Sequence, residues 1–457
     1  MEVKLTDCYT LSEGKALMSG TEALVRLLLE QSRIDRMNGL RTKGLVSGYP
    51  GSPLGGLDIA LGKAKSFLDE EGIYFQPAVN EELAATALWG SQHINLYDNP
   101  SVQGVFSMWY GKGPGLDRAM DALRHANQGG VAPYGGMVIA VGDDPTGKSS
   151  TLAYQSDQNF HSLGIPYFFP KNVSEIIPMG LEAFALSRYS GCCVGLKIVV
   201  DTADSNAVVD MSRLRPNFPK MKPNKLVHVT KHDPAGARES KLHEIRLPEV
   251  QKWCAKSENA VQIYLPVKKG KTRLGIIGVG KIANEINEAL ITLLPDGGKS
   301  NTVAFTALNM PWPLPEQSLS DMLSIAEEVL VIEEKRSFVE DQIAKICVKK
   351  DRNILLSGKT NPDGENLLPS YGELSLENII NVIAERASHH SIELNPLKEL
   401  SLVKKLDEIP VRQPYYCAGC PHNSSTKASD GEIVGMGIGC HSISVSYTHL
   451  RAHETRN

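Results

Sequence analysis

The apolar residues in the first half of the chain alternate between two spacings. The segment Gly20–Asp35 carries them at helical spacing, with Thr21 near its start, and it predicts an amphipathic helix. Short apolar runs that predict buried strands follow it: "GLVSGY", "GVFSMWY", "GMVIAV" and "GLKIVV". Glycine-rich turns lead from these runs into further helical segments. The pattern indicates an α/β fold with a doubly wound parallel sheet.

A second α/β unit is predicted after a change in composition. Between residues 216 and 270 the chain is basic and punctuated by proline, which suggests a connector with some helix. Strand-like and helix-like segments resume after it. The predicted domains are 1–215, the connector 216–270, 271–400, a new unit beginning at 401–445, and a tail at 446–457.

Length and charge narrow the class of protein. A chain of 457 residues predicts two or three domains. Its 48 basic and 52 acidic residues nearly balance, so no electrostatic footprint for nucleic acid or an anionic membrane is visible. Neither a membrane-spanning run nor a signal-peptide core is apparent. We therefore expect a cytoplasmic protein without a nucleic-acid or membrane partner.

One segment matches the pattern of a phosphate-binding P-loop. Gly142–Ser149 reads G-x-x-x-x-G-K-S after a predicted strand, and a later strand ends at Asp201. However, Pro145 stands where a third glycine is usual and removes a backbone donor. Asp143 and Asp144 also place carboxylates where a polyphosphate would lie. A P-loop nucleotide hydrolase is therefore kept only as the less favoured alternative.

The segment Gly275–Ala283 approximates the G-x-G-x-x-A fingerprint of a dinucleotide-binding fold. The following strand, "NTVAFTAL", does not end in the acidic residue that such folds use to bind ribose. We favour a tight turn that allows close packing between strand and helix.

Adjacent acids, Glu81 and Glu82, begin a helix of small residues. Acidic residues are favoured at a helix N-terminus by the dipole alone, which is the simpler interpretation. The functional interpretation requires one buried carboxylate that binds a cofactor nitrogen.

Three cysteines form a cluster in a chain that has only eight. Cys417 and Cys420 are spaced as C-x-x-C, and Cys440 follows twenty positions later. Such a set indicates an iron–sulfur cluster or a zinc site, with His422 or His441 as the fourth zinc ligand. Spacing alone leaves three interpretations open: an iron–sulfur cluster, a zinc site, or no metal at all.

Eight stretches together resemble one family, the fused long form of indolepyruvate ferredoxin oxidoreductase. It belongs to the thiamine-diphosphate-dependent 2-oxoacid:ferredoxin oxidoreductases. The resemblance covers roughly residues 16 to 443. The stretches are, in family order, "ALVRLLLEQ", "VSGYPGSPLGGLD", "VNEELAATALWGSQ", "MWYGKGPGLDR", "GDDPTGKSST", "ALSRYSGCCVGLK", "VIEEKRSFVEDQI" and "CAGCPHNSST…GIGCH". The family turn reads G-D-D-H-x-x-K-S-S-T, so the P-loop match is interpreted as coincidental.

The resemblance implies a role for each predicted domain. Residues 1–215 would form a pyrimidine-binding thiamine domain, and 271–400 a transketolase C-terminal-like domain that is chiefly structural. Residues 401–445 would begin the diphosphate-binding thiamine domain. Glu81 falls on the glutamate that contacts the aminopyrimidine ring and promotes removal of the thiazolium proton. Ser52 matches a turn that faces substrate, although a plain turn serine fits equally well.

Further site residues follow from the same resemblance. Lys112 and Arg118, with the backbone N–H groups of Gly113 and Gly115, are suited to a substrate carboxylate or a phosphate of coenzyme A. The three clustered cysteines, Cys417, Cys420 and Cys440, would hold three corners of a [4Fe–4S] cluster, which favours iron–sulfur over zinc.

The implied reaction is oxidative decarboxylation of an arylpyruvate to the aryl-acetyl-CoA. Electrons would pass to ferredoxin, with thiamine diphosphate and Mg²⁺ as cofactors and a homo-oligomer possible. The indole, phenyl and hydroxyphenyl side chains are not distinguished. A non-oxidative thiamine-dependent decarboxylase, which would use Glu81 without the cysteines, remains the alternative.

The end of the chain departs from the family. After "GIGCHSI" the family continues into a diphosphate and magnesium site and a fourth cysteine, whereas this sequence reads "SVSYTHLRAHETRN". We expect Ser446–Asn457 to be an artefactual tail. The chain is therefore expected to be an N-terminal fragment that is inactive alone.

Overall fold

Two mainly parallel sheets organise the chain in the computed structural model, which describes residues 4–147, 152–215, 218–219, 221, 224–396 and 416–427. The described strands are β1 Lys15–Ser19, β2 Thr42–Gly48, β3 Ile73–Phe75, β4 Gly104–Lys112, β5 Met137–Asp143, β6 Tyr167–Phe168, β7 Val194–Val199, β8 Asn206–Asp210, β9 Val261–Leu265, β10 Leu274–Val279, β11 Val303–Leu308, β12 Glu328–Ile332 and β13 Leu355–Ser357. The described α-helices are α1 Asp7–Thr10, α2 Gly20–Met37, α3 Leu57–Lys63, α4 Lys65–Glu70, α5 Glu81–Ser91, α6 Gly113–Gly129, α7 Asp157–Leu163, α8 Val173–Ser190, α9 Val200–Asp204, α10 Ala235–Lys241, α11 Leu247–Cys254, α12 Ile282–Leu293, α13 Glu316–Leu319, α14 Met322–Ile325, α15 Val339–Lys349, α16 Leu376–His389 and α17 His422–Ser425.

The first sheet has six parallel strands in the order β3-β2-β4-β5-β7-β6. Helices α2, α3 and α8 contribute to the hydrophobic core on one face, and α5, α6 and α7 to the core on the other. Parallel strands buried on both faces explain the continuous apolar runs in the sequence. The predicted doubly wound α/β fold is confirmed.

Helix α2 begins with a capping box. The Ser19 hydroxyl accepts the Glu22 N–H at 3.2 Å, and the Glu22 carboxylate accepts the Ser19 N–H at 2.8 Å. These reciprocal bonds satisfy two backbone donors at the helix start. The helix therefore starts one residue before Thr21, which the sequence placed near its beginning.

The second sheet has five strands in the order β13-β12-β10-β11-β9. Strands β10, β11, β12 and β13 are parallel, and β9 pairs with β11 in the antiparallel direction. The predicted connector at 216–270 thus includes a strand of this sheet. Strand β9 is half exposed at the sheet edge, which explains why its sequence lacks a continuous apolar run.

The two sheets contact each other at the carboxyl ends of their parallel strands. The Phe169 N–H donates to the Asn309 carbonyl at 2.7 Å, and the Phe169 ring lies over Gly280, where an added Cβ would be 2.1 Å away. Gly280 has φ +57°, a conformation that favours glycine. We call this contact the joint; its charged and polar residues include Asp143, Asp157, Lys197, Asp201, Lys281, Glu285, Asn309, Glu334, Lys335 and Glu373.

None of the helices in the described ranges combines the length and apolar character needed to cross a membrane.

Candidate functional site

Glu81 is the first residue of α5 and its carboxylate is mostly buried. Asn80 caps the helix by accepting the Leu83 N–H at 2.8 Å, and the indole N–H of Trp109 donates to the Glu81 carbonyl at 3.0 Å. The Glu81 side chain is only 7% exposed. Among the described residues its carboxylate has no hydrogen-bond donor, and its ion-pair partner, the Arg118 Nε, lies at 3.7 Å. A buried carboxylate that lacks a hydrogen-bond donor can accept a hydrogen bond from a ligand.

The neighbouring acid has the opposite surroundings. Glu82 is exposed on the outer side of α5. The helix start therefore turns one of two consecutive carboxylates inward and the other outward.

Gly115, in the first turn of α6, packs directly on Glu81. A Cβ at Gly115 would lie 2.9 Å from both Cγ and Oε1 of Glu81. Only a glycine leaves room for the carboxylate at this position. The structure thus brings together Glu81, Gly115 and Arg118, three of the residues predicted for the site.

Gly113 lies instead beneath an aromatic ring. Its added Cβ would be 2.0 Å from the ring of Tyr154, whose hydroxyl donates to the Asp117 carboxylate at 2.7 Å. Sequence reasoning missed Tyr154 and Asp117. The signal for Tyr154 was weak, because it follows a glycine- and serine-rich turn with no periodic pattern.

Ser52 lies on a turn that packs against the ends of two central strands. The Ser52–Pro53 peptide bond is cis, and Ser52 is half-buried. A Cβ at Gly51 would lie 2.9 Å from the Lys112 side chain, and a Cβ at Gly142 would lie 2.9 Å from Pro53. The turn is thereby held between the carboxyl ends of β4 and β5, where open α/β sheets bind ligands.

The described part of the P-loop-like segment does not form a phosphate cradle. Asp143 is fully buried and accepts hydrogen bonds from the Ser156 N–H at 2.9 Å and the Ser156 hydroxyl at 2.8 Å. The Pro145 carbonyl accepts a bond from Lys335 Nζ at 2.7 Å. Lys148 and Ser149 lie outside the described residues. These contacts attach the segment to the protein and give no support to a nucleotide hydrolase.

The dinucleotide-like turn is filled by the protein itself. Gly280 is covered by Phe169, and Lys281 Nζ binds the carboxylates of Asp201 and Glu373, the latter at 2.7 Å. The expected close packing accounts for this glycine-rich turn.

Cys417 and Cys420 share one tight turn. The Cys420 N–H donates to the Cys417 carbonyl at 3.0 Å, and Gly419 between them has φ +75°. The Cys420 sulfur lies 3.3 Å from His422 Nδ1. Two accessible thiols on such a turn have the donor chemistry of a metal site. Cys440 lies outside the described residues, and the described part of the chain holds no metal-binding group of three His, Cys, Asp or Glu residues.

Comparison with known proteins shows one consistent similarity. A family model described as "Indolepyruvate oxidoreductase domain" matches residues 266–409. The chain is 26% identical over 459 residues to the indolepyruvate oxidoreductase subunit IorA of Methanothermobacter marburgensis, covering 97% of this chain and 66% of that protein. It is also 26% identical over 466 residues to IorA of Pyrococcus abyssi, covering 97% and 64%. The chain thus spans slightly less than two thirds of the length of these relatives.

A solved structure shares the fold. The 2-oxoglutarate:ferredoxin oxidoreductase from Magnetococcus marinus, solved with 2-oxoglutarate, coenzyme A and succinyl-CoA bound, aligns with a TM-score of 0.56 at 16% identity. The alignment covers 82% of this chain and 65% of that one. The resemblance predicted from the sequence motifs is confirmed.

Proposed function

Because the chain resembles the indolepyruvate oxidoreductases, we propose that it forms part of an enzyme that oxidises a 2-oxoacid with thiamine diphosphate. The proposed substrate is an arylpyruvate, which would be converted to the aryl-acetyl-CoA while ferredoxin accepts the electrons. The observation that supports it most directly is the Glu81 carboxylate, which is mostly buried and accepts no hydrogen bond from the described residues.

The surroundings of Glu81 fit the aminopyrimidine ring of thiamine diphosphate. A ring nitrogen that carries a proton would supply the donor that this carboxylate lacks. Gly115 leaves the space beside the carboxylate free of a side chain. When bound, thiamine diphosphate supplies the stabilisation of a carbanion that 2-oxoacid decarboxylation requires. Glu81 would hold or release the proton at the ring nitrogen.

Other side chains at the same edge of the sheet are proposed to bind the anionic reactants. Lys112 and Arg118, with the backbone of Gly113 and Gly115, would bind the 2-oxoacid carboxylate or a phosphate of coenzyme A. The Ser52 hydroxyl is proposed to donate to the 2-oxo group. Tyr154 over Gly113 is an additional boundary of this region.

Electron transfer is proposed to use a [4Fe–4S] cluster held in part by the clustered cysteines. Cys417 and Cys420 share a turn that suits two of the ligands, and Cys440 would supply a third. Mg²⁺ is proposed as the companion of the cofactor diphosphate, and no ligand for it is assigned in this chain. A cytoplasmic location and a homo-oligomer are parts of the same proposal.

The test uses the whole enzyme, carrying the full length of its relatives, and compares two substitutions. Glu81→Gln removes the proton-holding carboxylate, so arylpyruvate-dependent reduction of ferredoxin should fall by about 100-fold or more. Glu82→Gln, the adjacent exposed position, is the matched control and should retain wild-type activity. Equal activity of the two variants would contradict the role of Glu81. Carbon dioxide release without acceptor reduction in the wild type would instead indicate a non-oxidative decarboxylase.

A further inference from the structure

Three carboxylates in the joint each have a buried oxygen that finds no hydrogen-bond partner in the part of the chain that the structure describes. The atoms are Asp143 Oδ1, Glu285 Oε2 and Glu334 Oε1. They belong to three separate elements: the end of β5, helix α12 and the segment after β12. Buried polar atoms are nearly always paired in folded proteins, so three exceptions within one contact require an explanation.

The cation nearest Asp143 is already shared. Lys197 Nζ lies 2.6 Å from the Asp157 carboxylate and 3.5 Å from that of Asp143. The Tyr167 hydroxyl also donates to Asp157. The Ser156 donors bind the other oxygen of Asp143, so Oδ1 is left without a hydrogen-bond partner among the described residues.

The second lysine of the joint is shared as well. Lys281 Nζ binds Asp201 and Glu373 and lies 3.8 Å from the carboxylate of Glu285. Glu334 faces the same lysine, Lys197 and Lys359, and its carboxyl accepts the Leu374 N–H. The third lysine, Lys335, donates to the Pro145 carbonyl.

The lysines near Asp143, Glu285 and Glu334 are therefore shared with other carboxylates. If these three carboxyls were all ionised, each would carry charge on an oxygen that accepts no hydrogen bond from the described residues, which is costly in a poorly solvated place.

We propose that the joint is a proton-dependent contact: Asp143, Glu285 and Glu334 retain protons in the folded protein, and the two sheets loosen against each other when these carboxyls ionise. A proton on an unpartnered oxygen converts it into a donor and removes one negative charge. This would be a conformational device built into the fold, separate from the proposed chemistry at Glu81.

The pKa directions agree with the geometry. Burial raises the pKa of Asp143, Glu285 and Glu334 above their ordinary values. Burial also raises the pKa of the neighbouring Glu333 to about 7. Its carboxylate accepts N–H bonds from Phe338, Val339 and Glu340 and faces Lys359, and these contacts oppose the effect of burial. A carboxyl with a raised pKa holds a proton that the unfolded chain has lost, so stability falls as pH rises from the ordinary value through the raised one.

The experiment measures this pH dependence in the 457-residue chain. Thermal unfolding and amide hydrogen exchange are followed between pH 5.5 and pH 8, with exchange corrected for its intrinsic pH dependence. We expect the wild-type midpoint to fall more steeply with rising pH than that of the amide variants described below. Burial lowers the pKa of His93, His161 and His228, and these groups act in the opposite direction equally in every protein compared. Exchange in residues 167–170 and 277–283 should increase relative to α2, which lies outside the joint. Each retained proton changes the unfolding constant by up to about tenfold per pH unit.

Amide variants identify the groups responsible. Glu285→Gln and Glu334→Gln imitate the protonated form and should each reduce the pH slope. Glu288→Gln lies on the same helix as Glu285 but is exposed, so it should keep the wild-type slope. Equal slopes in all of these proteins would overturn the proposal. If a variant does not fold, the test rests on amide hydrogen exchange in the wild type. Exchange rates in residues 167–170 and 277–283 that change with pH in the same way as those of α2 would also overturn the proposal.

Discussion

Glu81 and Glu82 are adjacent residues of the same type, but the structure gives them different surroundings. The sequence presents two equivalent acids at a helix start, and both would be favoured there by the helix dipole. The cap at Asn80 sets the rotation of α5, which turns Glu81 toward α6 and Glu82 toward solvent. The position of Glu81 was predicted from the resemblance, whereas the small space beside it depends on Gly115, which only the packing of two helices reveals.

Gly115→Ala tests that space. The new methyl group would lie 2.9 Å from the Glu81 carboxylate and displace it, so activity of the whole enzyme should fall by about tenfold to 100-fold. Stability should change little, because alanine favours a helix by up to about 1 kcal/mol over glycine and offsets part of the strain. The measurement is arylpyruvate-dependent acceptor reduction together with a urea unfolding midpoint.

The matched control is Gly90→Ala. Gly90 lies on α5 with no atom within 4 Å of its added Cβ, so only the helix propensity changes. We expect normal activity and equal or higher stability. A Gly115→Ala enzyme as active as this control would show that Glu81 tolerates displacement.

At the scale of elements, the C-terminus of α6 depends on a residue far along the chain. Arg246 is fully buried and donates to the carbonyls of Asn127, Gln128 and Gly129 at 2.7 to 3.1 Å, and to the Val227 carbonyl at 2.6 Å. The last carbonyls of a helix have no partner within it, so a guanidinium is an effective cap.

Arg246→Met should therefore destabilise the fold. Methionine keeps much of the apolar stem but leaves three buried carbonyls and one partly buried carbonyl without this donor, at a cost of about 3 kcal/mol or more. Urea unfolding followed by circular dichroism measures the loss. Arg213→Met, at a side chain that is 86% exposed, should change stability by less than about 0.5 kcal/mol. A similar small effect at Arg246 would refute the capping role.

The same residue shows why parts of the fold escaped sequence reasoning. Arg246 and strand β9 both lie in the segment 216–270, which composition suggested to be a connector. A buried arginine looks like a surface residue in sequence, and an edge strand lacks a continuous apolar run. The central parallel strands were predictable because they are largely buried on both faces, whereas these two features depend on partners distant in sequence.

At the scale of the molecule, the joint contains a glycine whose backbone adopts a positive φ and whose Cα lies close to an aromatic ring. Gly280 has φ +57° and lies against the Phe169 ring, with only 2.1 Å available to a Cβ. Gly280→Ala should therefore combine backbone strain of about 1–2 kcal/mol with overpacking of about 1–3 kcal/mol.

Gly270→Ala separates the two costs. Gly270 has a similar φ of +68° but no atom within 4 Å of its added Cβ, so it carries only the backbone strain. Urea unfolding should show a larger loss at Gly280 than at Gly270. Equal losses would mean that contact with Phe169 does not limit this position.

The second hydrophobic core extends through both sheets. It includes Leu116 and Ile139 from the first sheet with its helices, and Ile277 and Val331 from the second. If recombination replaced one sheet with that of a distant homologue, the new sheet would have to pack against the core side chains of the sheet that remained. Chimeric proteins divided near residue 270 would also separate β9 from the strand it pairs with. The two sheets are consequently expected to be inherited and to diverge as a single evolutionary unit.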